Sequence, residues 1–259
     1  MKDTDDSILL SMDAQNRLLL RHLPYLVQDL REIGSSVNEI IGILRRNNIT
    51  SSDMSAIDLG CGKGAISIAL AKEFKCKVRG IDALDAFVKE AITYAEEEGV
   101  TELCVFQTAD IRTITDVSLY DLVIYGAVGP IFGSTEETIS KVSGFVRPGG
   151  FLVIDDSFCP DALSQKVYQT ENELVQAYEK SGLSVIEEAR TSPEMVRETN
   201  RFNSERIHFR AEQLKKIYPK EAHVFDEFIK SQEKACSELE DQLISAVWLL
   251  QKRHTERYV

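Results

Sequence analysis

Apolar positions along the 259-residue chain change rhythm twice, and the changes divide it. From Asp13 to Gly34, Leu18, Leu19, Leu20, Leu23, Leu26, Val27, Leu30 and Ile33 recur at mixed helical spacing. Pro24 interrupts them, which predicts two short helical pieces. Ser35-Ser36 then caps a clearer amphipathic helix through Val37, Ile40, Ile41, Ile43 and Leu44, ending at Arg45-Arg46.

After Asp53 the texture becomes short apolar runs separated by helix-period segments. That alternation implies a parallel sheet covered by helices on both faces. Strands are predicted at 56–59, 77–81, 103–107, 119–125 and 150–154, with helices near 65–74, 85–98 and 135–145. Pro148-Gly149-Gly150 reads as the turn into the fifth strand. A helix over 163–181 and a sixth strand over 183–187 follow.

Ser192-Pro193 breaks this alternation. Residues 193–241 are rich in Glu, Lys, Arg and Gln with anchors Phe202, Phe209, Tyr218, Phe225 and Phe228, which predicts two or three added helices around Pro219. The apolar run Ile244–Leu250 reads as a last strand entering at the sheet edge. The expected organisation is a helical preface (1–50), a doubly wound, mostly parallel seven-stranded α/β core (51–192), a helical cap (193–243), and a final strand with its tail (244–259).

Within the core, Ala56-Ile57-Asp58-Leu59-Gly60-Cys61-Gly62-Lys63-Gly64-Ala65 is an apolar strand breaking into three alternate glycines and then a helix. Gly60 and Gly62 allow a tight turn with a ligand against backbone, and Gly64 allows strand and helix to pack closely. Gly60, Gly62 and Ala65 also satisfy the dinucleotide fingerprint, so a nicotinamide cofactor stays open. Asp58, two residues before the first glycine, suits a cationic or amino-bearing ligand better than a pyrophosphate, whereas Lys63 could face a phosphate. Asp82, twenty-two residues after Gly60, ends the second strand and can accept from both ribose hydroxyls. That role is shared by nicotinamide and adenosyl sites.

With these features the chain resembles the class I S-adenosylmethionine (SAM)-dependent methyltransferase family across residues 55–185, with Trp248 and its neighbours matching the usual final strand. Asp58-Leu59-Gly60-Cys61-Gly62-Lys63-Gly64 resembles the family's first motif, Asp82 its ribose-binding acid, and Ala109-Asp110-Ile111 its adenine-contacting segment. Tyr120–Tyr125 and Val146–Val153 resemble the fourth and fifth strand signatures. The resemblance implies SAM as cofactor, with Gly60, Cys61 and Gly62 on its methionine part, Asp82 on the ribose and Asp110 on the adenine amino group. It also implies that Ala83 and Ile111 pack on the base and that Tyr125 lies beside the site. A helix N-cap is the alternative role for Asp110.

Methyl transfer needs donor and nucleophile held collinear, so no fixed catalytic residue is expected. Tyr125, Asp155, Asp156 and His208 are the catalytic candidates, although capping or solvated placement competes for both aspartates and neighbouring strand residues face opposite sides. No metal is expected, because a catechol-type site would require a carboxylate where Tyr125 stands. The fourth strand also lacks the N/D-P-P-Y/F signature of base or amide methylation.

Charge narrows the partners. The net charge of −12, from 30 basic and 42 acidic residues, disfavours a phosphate backbone as partner. Five dispersed cysteines without a C-x-x-C suit a reducing cytoplasm, and no stretch reaches membrane-span or signal length. The expectation is a cytoplasmic enzyme acting on a small-molecule acceptor, with a homodimer allowed. A catalytically silent SAM-binding protein and a nicotinamide-linked oxidoreductase are the alternatives.

Overall fold

The computed structural model describes residues 3–114, 119–160 and 168–254. Three helices precede the sheet: α1 (Thr4–Ser11), α2 (Leu23–Leu26) and α3 (Val37–Arg46). Ser36 caps α3 by accepting from Glu39 N–H, while Glu39 in the first turn and Arg45-Arg46 in the last complement the helix dipole. Its apolar stripe, Ile40, Ile41, Ile43 and Leu44, is buried against α4 (Ala65–Phe74) and the sheet. Each of these side chains contributes roughly 1.5–3 kcal/mol of transfer free energy.

The strands are β1 (Ser55–Leu59), β2 (Lys77–Asp82), β3 (Cys104–Thr108), β4 (Tyr120–Gly126), β5 (Val146–Phe158), β6 (Leu183–Arg190) and β7 (Ile244–Lys252). They form one sheet in the order β3-β2-β1-β4-β5-β7-β6. β1 to β5 run parallel, and β7 runs antiparallel to both β5 and β6. Helices α5 (Asp85–Glu97), α6 (Thr135–Ser143) and α7 (Glu171–Lys180) alternate with the strands. Together with α3 and α4 they cover two sheet faces, each with its own apolar cluster. This is the doubly wound, mostly parallel seven-stranded arrangement expected from the sequence.

Three expectations are corrected. β7 is not an edge strand: it lies between β5 and β6, and Ala246–Leu250 are fully buried. A strand covered on both faces reads as a continuous apolar run, which is the pattern of that segment. The Pro148–Gly150 turn is absorbed into β5, whose pairing with β4 jumps from Tyr120↔Val146 to Leu122↔Phe151; the extra residues form a bulge. The helix expected over 163–181 is described only as α7, which opens with a capping box between Thr170 and Glu173; positions 163–167 lie outside the described residues.

After β6 come α8 (Pro193–Ile217) and α9 (Ala222–Asp241), joined by a 3-10 turn at Pro219–Glu221. Their inner faces, including Ile207, Leu214, Phe225 and Phe228, share one apolar cluster with Leu9, Leu19, Leu23 and Leu26 of the preface. Polar ties reinforce it: Arg210 to Asp29, Tyr25 Oη to Gln213 at 2.7 Å, and Gln232 to the Met12 carbonyl at 2.9 Å. Phe87 and Leu84, beyond the tip of β2, join the same cluster. The preface and the α8–α9 pair are thereby joined to the segment just beyond the tip of β2. Among the described residues no helix is long and apolar enough to cross a membrane, and all five cysteines are free.

Candidate cofactor site

The bend after β1 is held by backbone. Gly60 and Cys61 N–H both donate to the Ile81 carbonyl, at 2.8 and 2.9 Å, which pins the turn to the end of β2. Gly60 and Gly62 have φ of +80° and +53°, a region costly for residues bearing Cβ. At Gly62 a Cβ would meet nothing within 4 Å, so its backbone borders open space. A Cβ on Gly64 would lie 2.9 Å from Ala91 of α5 and 2.8 Å from Phe106 of β3, the close packing anticipated for this glycine.

Asp82 stands at the tip of β2. One carboxylate oxygen accepts from Gly62 N–H and the other from Leu84 N–H, both at 2.8 Å. Burial raises its pKa, and these backbone donors partly offset the rise. It forms no ion pair among the described residues, so its remaining lone pairs are available to hydroxyl donors.

Asp58 lies deeper. It is 2% exposed and accepts from Ser67 Oγ of α4 at 2.7 Å. Burial pushes its pKa up to about 6, with the Ser67 bond opposing and Asp82 adding. Its carboxylate supports the turn from behind, which corrects the expectation that it faces the ligand. Cys61 is also buried, and burial raises its thiol pKa well above the usual value.

Lys63 is a further correction. Although it occupies the glycine turn, it is 1% exposed, with Nζ 2.9 Å from the Val27 carbonyl and 2.8 Å from Glu90. It ties the preface to α5 and points away from any ligand over the glycines. The turn therefore presents Asp82 at its rim and no cation.

Asp110 caps the 3-10 turn at Ile111–Thr113 by accepting from Arg112 N–H at 2.9 Å. The Arg112 guanidinium grips both its oxygens, and Thr4 Oγ1 donates to Oδ2 at 2.7 Å. Arg112 is the first cause of a pKa lowered to about 2. With both oxygens engaged, Asp110 holds its segment, and the N-cap alternative describes it. Ala109 N–H donates to the Asp82 carbonyl at 2.9 Å, so the segment stays beside the second acid, with Ile111 buried behind it. Ala83 adds its backbone N–H to the Asp82 carboxylate.

The catalytic candidates separate. Tyr125 is buried and its hydroxyl donates to the Gly129 carbonyl, closing the loop after β4; burial raises its pKa. Asp155 and Asp156 face opposite sides of β5. Asp155 accepts from Ser36 N–H at 3.1 Å, whereas Asp156 lies on the Tyr125 and Tyr178 side. Asp156 is exposed and accepts from Ser157 N–H at 2.8 Å, and partial burial of its carboxylate raises its pKa. His208 faces α9, with Nε2 3.4 Å from Glu233 Oε1, so its place is the interhelical seam.

A family model described as "Methyltransferase domain" matches residues 50–203, which is more than half of the chain. The chain belongs to the class I SAM-dependent methyltransferase family. Among relatives of this methyltransferase, the ubiquinone biosynthesis O-methyltransferase of Rickettsia felis is 33% identical over 103 residues, covering 40% of this chain and 41% of that protein. The malonyl-[acyl-carrier protein] O-methyltransferase of Priestia megaterium is 27% identical over 107 residues, 41% of this chain and 38% of that one. The matched stretch thus spans about two fifths of these curated relatives. A SAM-dependent methyltransferase of Geobacter sulfurreducens, solved with S-adenosyl-L-homocysteine, superposes with a TM-score of 0.76 at 18% identity, covering 90% of this chain and 98% of that one. At that identity the likeness speaks for the fold alone.

Several contributors were missed from sequence. Helix α1, which brings Thr4 to Asp110, has a readable signal in its Asp3 N-cap, whose side chain accepts from Asp6 N–H. Ser35 and Ser36 were read only as a cap, and nothing local places them beside Asp155. Val128 packs so tightly against Gly60 that a Cβ there would collide with it, a contact that no linear pattern encodes.

Proposed function

We propose that this chain binds SAM at the glycine turn and transfers its methyl group to a small-molecule acceptor by in-line displacement. The carrying observation is electrostatic. The crevice presents Asp82 at its rim, while the turn's only cation, Lys63, is turned away. A pyrophosphate would meet an acid without a compensating charge, whereas an adenosyl sulfonium brings positive charge towards it.

In this reading Gly60, Cys61 and Gly62 offer backbone to the methionine part, Asp82 accepts from the ribose hydroxyls, and Ala83 and Ile111 flank the adenine. Asp58 and Gly64 shape the turn, Asp110 orders the adenine segment, and Tyr125 orders the loop after β4. Bound SAM supplies an electrophilic methyl on sulfur; the chain's contribution is to orient it and exclude water. The layer formed by the preface with α8 and α9 joins the segment just beyond the tip of β2, where it would enclose a small acceptor. The names of the relatives, which include a ubiquinone pathway enzyme, support that acceptor class.

Calorimetry with S-adenosylhomocysteine (SAH) is the first test. Asp82→Ala removes the ribose acceptor, and hydrogen bonds to a charged group are worth about 1.5–3 kcal/mol each, so affinity should fall roughly 10- to 100-fold or more with the circular dichroism spectrum unchanged. Unchanged affinity would remove Asp82 from the site, and preference for a nicotinamide dinucleotide over SAH would sink the reading. Radiolabelled methyl transfer into a metabolite extract distinguishes an enzyme from a silent binder.

A further inference from the structure

Asp155 stands at the tip of β5, opposite Gly126 at the tip of β4, and its carbonyl accepts from Ala127 N–H at 2.9 Å. Its side chain accepts from Ser36 N–H at 3.1 Å, and it forms no ion pair among the described residues. Ser35 lies beside it, 7% exposed, and its hydroxyl is among the buried polar atoms that find no hydrogen-bond partner. That hydroxyl is near enough to lower the pKa of Asp155, yet outside hydrogen-bond geometry. It occupies the space left by the missing side chain of Gly126: a Cβ there would collide with Ser35 Oγ and lie 3.7 Å from Asp155 Cβ.

Leaving a buried hydroxyl unpaired costs about 1–3 kcal/mol. Here the cost falls beside a carboxylate that also has unused acceptor capacity, at the tips of β4, the neighbour of β1, and of β5 beyond it. The loop that starts at Gly126 reaches back to the glycine turn, where Val128 covers Gly60. An unpaired donor and an unneutralised acid thus lie side by side, a short loop away from the cofactor crevice.

We propose that Asp155 is the general base for the acceptor, with the Ser35 hydroxyl as the acceptor's hydrogen-bond partner, so that the attacking atom carries a proton, as an amine or a hydroxyl does. This rests on the SAM reading above. The lone pair of the attacking atom forms the bond to the methyl carbon and the S–C electron pair returns to sulfur, leaving a neutral thioether. The proton of the attacking atom passes to the Asp155 carboxylate. Burial pushes the Asp155 pKa up to about 7, with the Ser36 N–H and Ser35 lowering it and Asp156 and Glu39 raising it, which suits proton exchange near neutrality. Asp156 faces the other side of the strand and stands apart from this pair.

Sinefungin, which carries a C–NH3+ group in place of the methyl sulfonium, tests this without knowledge of the acceptor. Affinities for sinefungin and SAH are measured by calorimetry on the full chain, and their ratio is the readout. Asp155→Asn should lower the sinefungin-to-SAH ratio about 10-fold or more with SAH affinity retained, whereas Asp156→Asn should leave the ratio unchanged. A ratio unaffected by Asp155→Asn, with SAH still bound, overturns the assignment. Failure of the wild-type chain to bind SAH overturns the SAM reading instead. Should Asp155→Asn not fold, the wild-type ratio itself decides: it should rise from about pH 5.5 to about pH 8.5 as Asp155 ionises, and a flat ratio overturns the proposal.

Discussion

Replacing Asp58 by Asn tests the electrostatics of the turn. The amide keeps an oxygen for the Ser67 hydroxyl but cannot ionise. Asp58 is almost fully buried, and its pKa stands at about 6 against an ordinary 3.8; that gap corresponds to roughly 3 kcal/mol. The folded-state value is raised, so this group's contribution to stability is complete below the unfolded value and is lost as pH climbs through the folded one. Above about pH 7 the wild-type protein therefore carries a buried charge that costs it roughly 3 kcal/mol, and Asp58→Asn should be the more stable protein by a margin approaching that figure. Near about pH 4 most of the gain should vanish, because folded Asp58 is then protonated and the unfolded carboxyl, near its own pKa, is only partly ionised. Urea denaturation of both proteins across this range gives the difference directly, and changes in other acids cancel between them. A stability difference that stays flat with pH, or favours the wild type at high pH, refutes the reasoning. SAH affinity measured in parallel should be nearly unchanged, since Asp58 lies behind the bend; a large loss would return it to the ligand-facing role.

Two further substitutions probe the same turn. Gly60→Ala forces a Cβ into a left-handed conformation and onto Val128; it should destabilise by about 1–3 kcal/mol in a thermal or urea melt and abolish detectable SAH binding, and wild-type behaviour in both would show the bend to be unconstrained. Lys63→Met should cost about 1–3 kcal/mol by freeing Glu90 and the Val27 carbonyl and should speed proteolysis between residues 13 and 36, whereas unchanged digestion would show that this tie does not hold the preface.

The core was readable because its signals are local. Strand β1, its glycines and α4 are written in one unbroken stretch, residues 55–74, and Asp82 follows at the next strand end. The bulge in β5 and the interior position of β7 were not, since both depend on which strands pair. Lys63 misled for a related reason: its position in the turn suggests a phosphate, while Val27 and Glu90, remote in sequence, decide its direction. For Asp110 the choice between adenine ligand and N-cap rested on Thr4 and Arg112, and only the first turn of a helix absent from the pattern shows Thr4 there.

The misreadings at Lys63 and Asp110 share a cause that bears on how the site works. The residues that decide orientation around the crevice come from the preface: Thr4 on Asp110, Val27 on Lys63, and Ser35 and Ser36 around Asp155. The preface is in turn fastened to α8 and α9 by their common apolar cluster and by Arg210 on Asp29. The preface and the α8–α9 pair, far apart in sequence, therefore act on the site as one layer. A substitution in the seam between them, such as at Phe225 or Leu23, reaches the cofactor turn through Lys63 and the acceptor pocket through Ser35 without touching either ligand. On the function proposed above, specificity for the acceptor is then a property of this layer and its fit to the strand tips, while the glycine turn beneath it can remain the same for many acceptors.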